Sequence, residues 1–418
     1  MNQNNDHGVS RRDFVRAGVT AAALAGLSAE LAAQQPEEGG KTTSQPSKAG
    51  DLVPTRVLGK TGASVSVLNL GTTQKPDNRM LNAMYDCGIR YIDTADCYVG
   101  GQAEQIIAGW MTKKANRKDI FLVTKDHPKS PDEWIKMLDK RLEALKTDFV
   151  DLFFIHMLGE GSRGGPGNED HAAWPKSKEW AAAAEKMKKS GKIRFAGFST
   201  HTGFPLRTEL LNNAAAGGWV DALMVAYDPQ LVRDNADFNK ALDACHNAKI
   251  GLISMKQMRG VKDAPKFMPE FEKKGLTAHT AVLNAVWTDE RIASICCNMP
   301  NLEILKENTT AARNFKPLDK KEMAAVIGLY EQRDRRFCNA CDGRCRQAAG
   351  TDAALNDIVR LLSYYEMDGR RDEARRLFAA MSPEERDWHG ADLQAASCAC
   401  VSKLDFEKLL ARAEQKLA

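Results

Sequence analysis

Between residues 56 and 300 of this chain, short apolar, β-branched or aromatic runs recur roughly every 25–40 residues, each followed by a helical pattern. The runs lie at 65–70, 90–94, 120–125, 150–156, 193–199, 222–227, 251–256 and 294–298. Helical patterns fill the gaps at 78–86, 103–111, 131–145, 176–189, 205–215, 236–248, 277–288 and 302–312. Parallel strands covered on both faces read as near-continuous apolar runs, and these do. Eight such units predict an α/β protein whose strands close into a (β/α)8 TIM barrel, although periodicity alone also admits a doubly wound open sheet. A barrel takes about 250 residues, so a chain of 418 carries something more.

What surrounds the repeats differs in character. Residues 56–67 alternate around Gly59-Lys60-Thr61-Gly62 and read as an N-terminal hairpin that plugs the barrel floor. Past Pro317 the strand pattern stops, so the barrel is assigned to 55–316 and a mainly helical, cysteine-containing C-terminal extension to 317–418. At the other end, Arg11-Arg12 precede Phe14, and the uncharged small-residue stretch from Ala17 to Leu27 follows. This resembles a twin-arginine signal over 1–33, which implies the twin-arginine export machinery as a partner and a periplasmic location. Residues 34–54 read as a polar linker. A net charge of +4 spread over the whole chain makes no basic stripe, so nucleic acid is not an expected partner. No apolar run reaches the roughly 18–20 residues of a membrane span.

Four polar residues stand where barrel strands end or just beyond. They are Asp93 in Tyr91-Ile92-Asp93-Thr94-Ala95, Tyr98 five residues later, Lys125 after Phe121-Leu122-Val123-Thr124, and His156 after Phe153-Phe154-Ile155. The carboxyl ends of barrel strands face the active-site loops, so polar groups there are functional candidates. A tyrosine hydroxyl, with an ordinary pKa of about 10, donates a proton poorly unless a nearby cation favours phenolate, and Lys125 can supply that charge. Asp93 can hold the ammonium, while His156 can orient a carbonyl. Singly, each has an ordinary reading as a cap, surface lysine, core imidazole or loop anchor. Together they describe an acid that protonates a carbonyl oxygen while another group delivers hydride.

The segment Gly88-Ile89-Arg90-Tyr91-Ile92-Asp93-Thr94-Ala95-Asp96-Cys97-Tyr98, the strand-terminal Lys125 and the Asp151-to-His156 element resemble the aldo-keto reductase family and match its tetrad residue by residue. Gly191 to Ser199 resembles the family's fifth-strand motif, and Leu302 to Asn308 the nucleotide-facing start of its last helix. The resemblance covers roughly 55–315. It implies reversible carbonyl reduction of a small aldehyde or ketone with NADP or NAD, with Ser199, Lys256, Glu307 and Asn308 on the cofactor side. This sequence departs from the family at Thr200, where Asn is usual, and at Met224, where Gln is usual. The seventh strand ends in Met255-Lys256-Gln257-Met258 without the usual aromatic, and the usual basic residues spaced just ahead of Glu307-Asn308 to hold a 2′-phosphate are not found. A second reading is an exported redox or binding protein that keeps the tetrad without depending on a nicotinamide.

Half of the ten cysteines cluster near the end: Cys338, Cys341, Cys345, Cys398 and Cys400. Cys338-Asn339-Ala340-Cys341 followed by Cys345 places thiolates at spacings that suit one soft metal centre. The arrangement resembles the tail of a ferredoxin-like branch of the same family, which implies one iron-sulfur cluster on Cys338, Cys341, Cys345 and Cys398 or Cys400. Zinc or disulfides are the alternatives.

Overall fold

The structure is a computed structural model that describes residues 52–418 apart from 115–116, 160–168, 259–260, 262–267, 332–337, 339–342, 367–368 and 401. The expected signal at 1–33, nearly all of the linker and Cys341 lie outside the described residues.

A closed eight-stranded parallel barrel forms the centre of the chain, with strand order β10-β3-β4-β5-β6-β7-β8-β9. Its strands are β3 (Leu68–Gly71), β4 (Tyr91–Asp93), β5 (Phe121–Asp126), β6 (Val150–Ile155), β7 (Ile193–Thr200), β8 (Ala222–Ala226), β9 (Gly251–Met255) and β10 (Ile292–Cys297). The open-sheet alternative is thereby excluded, because β10 pairs with β3 through Ile295–Leu68, Cys296–Asn69 and Cys297–Leu70. Ahead of the barrel, β1 (Thr55–Val57) and β2 (Ser64–Ser66) pair antiparallel as the expected hairpin. The apolar run at 65–70 is thus two strands meeting at Val67 rather than one.

Apolar residues sort into three bodies. Leu58 and Val65 of the hairpin join Tyr91, Phe121, Val123, Leu152, Phe154, Met224 and Ile253 in the barrel interior. Arg56 fastens the hairpin by donating to the carbonyls of Ile292 and Trp287, both at 2.8 Å. A second, larger body lies between strands and outer helices; it includes Trp134, Phe153, Phe198 and Trp287 and continues into Val326, Leu329 and Tyr330. Helix Lys320–Glu331 therefore packs on the barrel, and Tyr330 donates its hydroxyl to the Gln257 carbonyl at 2.7 Å.

Helix starts follow their capping residues. Asp77, Ser130 and Asn301 accept from the backbone N–H of Met80, Glu133 and Ile304, and Pro131 stands in the first turn of helix Pro131–Leu145. Each side chain satisfies an N–H that the helix itself leaves unbonded. Among the described residues, no helix is long and apolar enough to cross a membrane.

The third body is the C-terminal extension. Leu355, Ile358, Leu361, Leu362, Leu377, Phe406 and Leu410 are buried together there, with Cys338, Cys345 and Cys400 in the same cluster. Helix Leu355–Glu366 packs against Arg371–Ala379 and Phe406–Leu417. Glu366 pins the last of these by accepting from Arg412 and Lys416, each at 2.8 Å.

Candidate active site

The parallel register carries the ends of β4, β5 and β6 to one mouth: Asp93 pairs with Val123, and Lys125 with Phe154. Lys125 is fully buried, and its ammonium donates to Asp93 Oδ1 at 2.5 Å, to the Thr94 carbonyl at 2.8 Å and to the Tyr98 hydroxyl at 3.3 Å. His156, one residue past β6, sets its ring edge-on to Tyr98 with centroids 5.6 Å apart. All four residues proposed from the strand ends therefore meet. Tyr98 opens a short turn, Tyr98–Gly101, in which Val99 takes a φ of +54°. A β-branched residue pays on the order of 1–2 kcal/mol for that left-handed backbone.

Electrostatics at the mouth depart from the expectation that Lys125 draws Tyr98 toward phenolate. Burial pushes the Tyr98 hydroxyl well above its ordinary value, and the Asp93 carboxylate adds to the rise. Tyr98 therefore stays protonated through neutral pH. Burial likewise raises the Asp93 carboxyl, with Lys125 opposing. Burial lowers His156 to about 3, despite the pull of Asp96 in the other direction, so its imidazole is neutral.

The cofactor-side positions are more dispersed. Ser199 is buried, and its hydroxyl accepts from the Met157 N–H at 3.1 Å, leaving a hydroxyl proton to donate. Its neighbour in register is Met224, whose thioether is only a weak acceptor. Thr200 donates to the Leu158 carbonyl at 2.7 Å. Lys256, at a φ of +61°, extends its ammonium over the ring of Tyr364, 5.6 Å from the centroid. Glu307 accepts from Thr277 at 2.6 Å, next to Asn308, which is nearly buried.

Three groups not proposed from the sequence reach the same mouth. Cys296 places its sulfur 4.0 Å from Asp93 Oδ1. His127, two residues beyond Lys125, lies with its ring centroid 4.5 Å from that of His156. The extension also arrives here: Tyr364 stands over Lys256, Arg370 works against the rise at Tyr98, and Glu373 adds to the rise at Cys97. His127 was visible as a polar residue just past a strand end, whereas nothing local in the sequence says where the extension docks.

The tail cysteines differ in burial. Cys338, Cys345 and Cys400 are buried while Cys398 is exposed, and Cys341 is outside the described residues.

Residues 68–264, just under half of the chain, match the model of the aldo/keto reductase family. The chain is 25% identical over 194 residues to the NADP(+) aldo-keto reductase yakc of Schizosaccharomyces pombe, covering 44% of this chain and 52% of that one. It thus spans about half the length of that relative, and less of other curated relatives such as a Pestalotiopsis microspora aryl-alcohol dehydrogenase, of which 24% is covered. An NAD(P)H-dependent D-xylose reductase of Scheffersomyces stipitis is 29% identical over 272 residues, covering 58% of this chain and 82% of that one. Among solved structures, the holo form of an aldo-keto reductase from Bacillus halodurans superposes with a TM-score of 0.51 at 20% identity, covering 66% of this chain and 96% of that one. The chain therefore has the (β/α)8 barrel of the aldo/keto reductases, and its sequence matches that family across residues 68–264.

Proposed function

We propose that the barrel reduces a small aldehyde or ketone to an alcohol, with Tyr98 as the general acid. The observation that carries this reading is the buried Lys125, which holds Asp93 on one side and stands 3.3 Å from the Tyr98 hydroxyl on the other. A bound nicotinamide nucleotide, NADP or NAD, supplies hydride in such a reaction. Ser199 fits a carboxamide because its buried hydroxyl keeps a proton to donate, Lys256 offers a cation for phosphate, and Glu307 and Asn308 lie on the helix after β10.

The chain's own groups do the rest. Tyr98 releases its proton to the carbonyl oxygen, and the Lys125 ammonium stabilises the phenolate left behind. Asp93 fixes Lys125 in place. His156, neutral at physiological pH, offers an N–H to the same carbonyl oxygen without adding charge. Replacing Tyr98 with Phe should lower kcat/KM for carbonyl reduction by at least about 100-fold. Activity that survives the change would overturn the assignment.

The same reading places the protein in the periplasm after twin-arginine export; what supports it is Arg11-Arg12 ahead of the apolar stretch 17–27. The double change Arg11→Lys/Arg12→Lys should leave the protein in the cytoplasm. For the tail, Cys338, Cys341, Cys345 and Cys398 are proposed ligands of one iron-sulfur cluster on their spacing alone, and iron and sulfide analysis of the isolated protein decides it.

A further inference from the structure

We propose that Asp96, Cys97, His127 and His156 form a binding site for one divalent transition-metal ion of the zinc class at the barrel mouth. One ligand atom from each lies within 4.8 Å of those of the other three. His127 Nδ1 stands 3.3 Å from Asp96 Oδ1, Cys97 Sγ 3.8 Å from His156 Nδ1, and His156 Nδ1 4.0 Å from Asp96 Oδ1. With bonds of roughly 2.0–2.3 Å, neighbouring ligands in a tetrahedral zinc site are separated by roughly 3.3–3.8 Å. The three approaches of 3.3, 3.8 and 4.0 Å are within a few tenths of an ångström of that range, and the widest pair, within 4.8 Å, closes by at most roughly 1 Å.

A second observation concerns hydrogen bonding. Asp96 Oδ1 and both ring nitrogens of His127 are buried with no hydrogen-bond partner among the described residues. The 3.3 Å approach of carboxylate and imidazole is a contact without a directed N–H between them. Buried polar atoms are costly to leave unpaired, and a cation among these lone pairs satisfies Asp96, His127 and His156 at once.

The donor set selects the ion. Two imidazoles and a thiolate are borderline and soft ligands that suit zinc, cobalt or nickel, whereas magnesium and calcium take oxygen. The carboxylate of Asp96 and a thiolate on Cys97 together balance a 2+ charge. Without an ion the Cys97 thiol stays protonated, because burial and the neighbouring Asp96 push it up to about 12. Metal binding forms a sulfur–metal bond and breaks the S–H bond, with the proton passing to solvent and no change of oxidation state. His156 binds through Nδ1, which leaves its proton on Nε2. The site sits on rigid supports: Asp96 and Cys97 follow β4, His127 follows β5 and His156 follows β6.

The test uses full-length protein stripped with chelator and titrated with Co2+, a spectroscopic stand-in for Zn2+. One equivalent should give ligand-field bands and a thiolate-to-cobalt charge-transfer band, both removed by Zn2+. Cys97→Ser should abolish the charge-transfer band, and His127→Ala should weaken Co2+ binding at least about tenfold. Cys338→Ser/Cys345→Ser should leave both signals in place. A charge-transfer band that survives Cys97→Ser, or that disappears in the Cys338/Cys345 pair instead, overturns the proposal, as does the absence of the band in the unaltered protein. Circular dichroism checks each variant's fold, and His127→Ala carries the test if Cys97→Ser does not fold. These readouts are spectra, so they stand or fall separately from carbonyl reduction.

Discussion

Lys125 and Asp93 form an ion pair with both side chains at 1% exposure, at a point where neither has water to fall back on. Coulombic attraction in such a place offsets desolvation only while both partners are present. Lys125→Met should therefore destabilise the barrel by about 3–5 kcal/mol, while the double change Asp93→Asn/Lys125→Met should recover much of that loss. Urea unfolding of Lys125→Met, Asp93→Asn and the double variant measures the coupling. Additive losses would mean that the pair contributes nothing beyond its two side chains.

Glu104 gives the fold a pH dependence of its own. It is 1% exposed, and burial raises its carboxyl to about 7 in spite of Thr124 at 2.6 Å and Arg141 at 2.8 Å. A raised folded-state pKa means that the native state holds this proton more tightly than the unfolded chain does. The stabilisation is fully present below about pH 4.5 and is lost as pH rises through about 7, to the extent of roughly 3 kcal/mol. Glu104→Gln should flatten that part of the stability profile, read from denaturant midpoints between pH 4 and pH 8 (about four units).

The separate cores of barrel and extension predict two unfolding units. Leu361 is completely buried within the apolar cluster of the extension. Leu361→Ala should cost about 2–5 kcal/mol and lower one calorimetric transition while leaving the barrel transition in place. A single transition moving as a whole would show that the two cores melt together.

Thiol chemistry should follow burial. Cys398 is exposed, whereas Cys97, Cys245 and Cys297 are pushed up to about 12 by burial. In metal-free protein at pH near 7, iodoacetamide should modify Cys398 well before these three, because the thiolate is the reactive form. Peptide mass spectrometry over a time course gives the order.

At Gly197 the spacing between strands leaves no room for a side chain. A Cβ on this β7 residue would lie 1.8 Å from the Ala222 carbonyl oxygen of the neighbouring β8. Gly197→Ala should open that strand pair and cost at least about 1–3 kcal/mol in thermal or urea unfolding.

Much of the barrel was readable because its physics is local. Each buried parallel strand is an apolar run, and helices 78–86 and 131–145 begin at Asp77 and Ser130, residues that cap through their own side chains. Asp93, Lys125 and His156 were readable for a related reason: a polar side chain ending an apolar run has few places to go except the mouth. The run at 65–70 looks like one strand in the sequence because two short strands separated by Val67 carry the same apolar signature as one long one. The convergence of Asp96, Cys97 and His127 on His156 depends on the register of three strands, and the approach of Tyr364 to Lys256 on tertiary docking. Neither leaves a periodic trace in the chain.

The hairpin under the barrel and the helices at its mouth share a kinetic consequence. Leu58 fills the interior from below, and Lys125 has almost no exposed surface. An ammonium so enclosed trades its hydrogens with solvent only when neighbouring side chains move aside. The lifetime of those hydrogens is therefore a clock for how often the mouth opens, and it ticks whether or not any substrate is present.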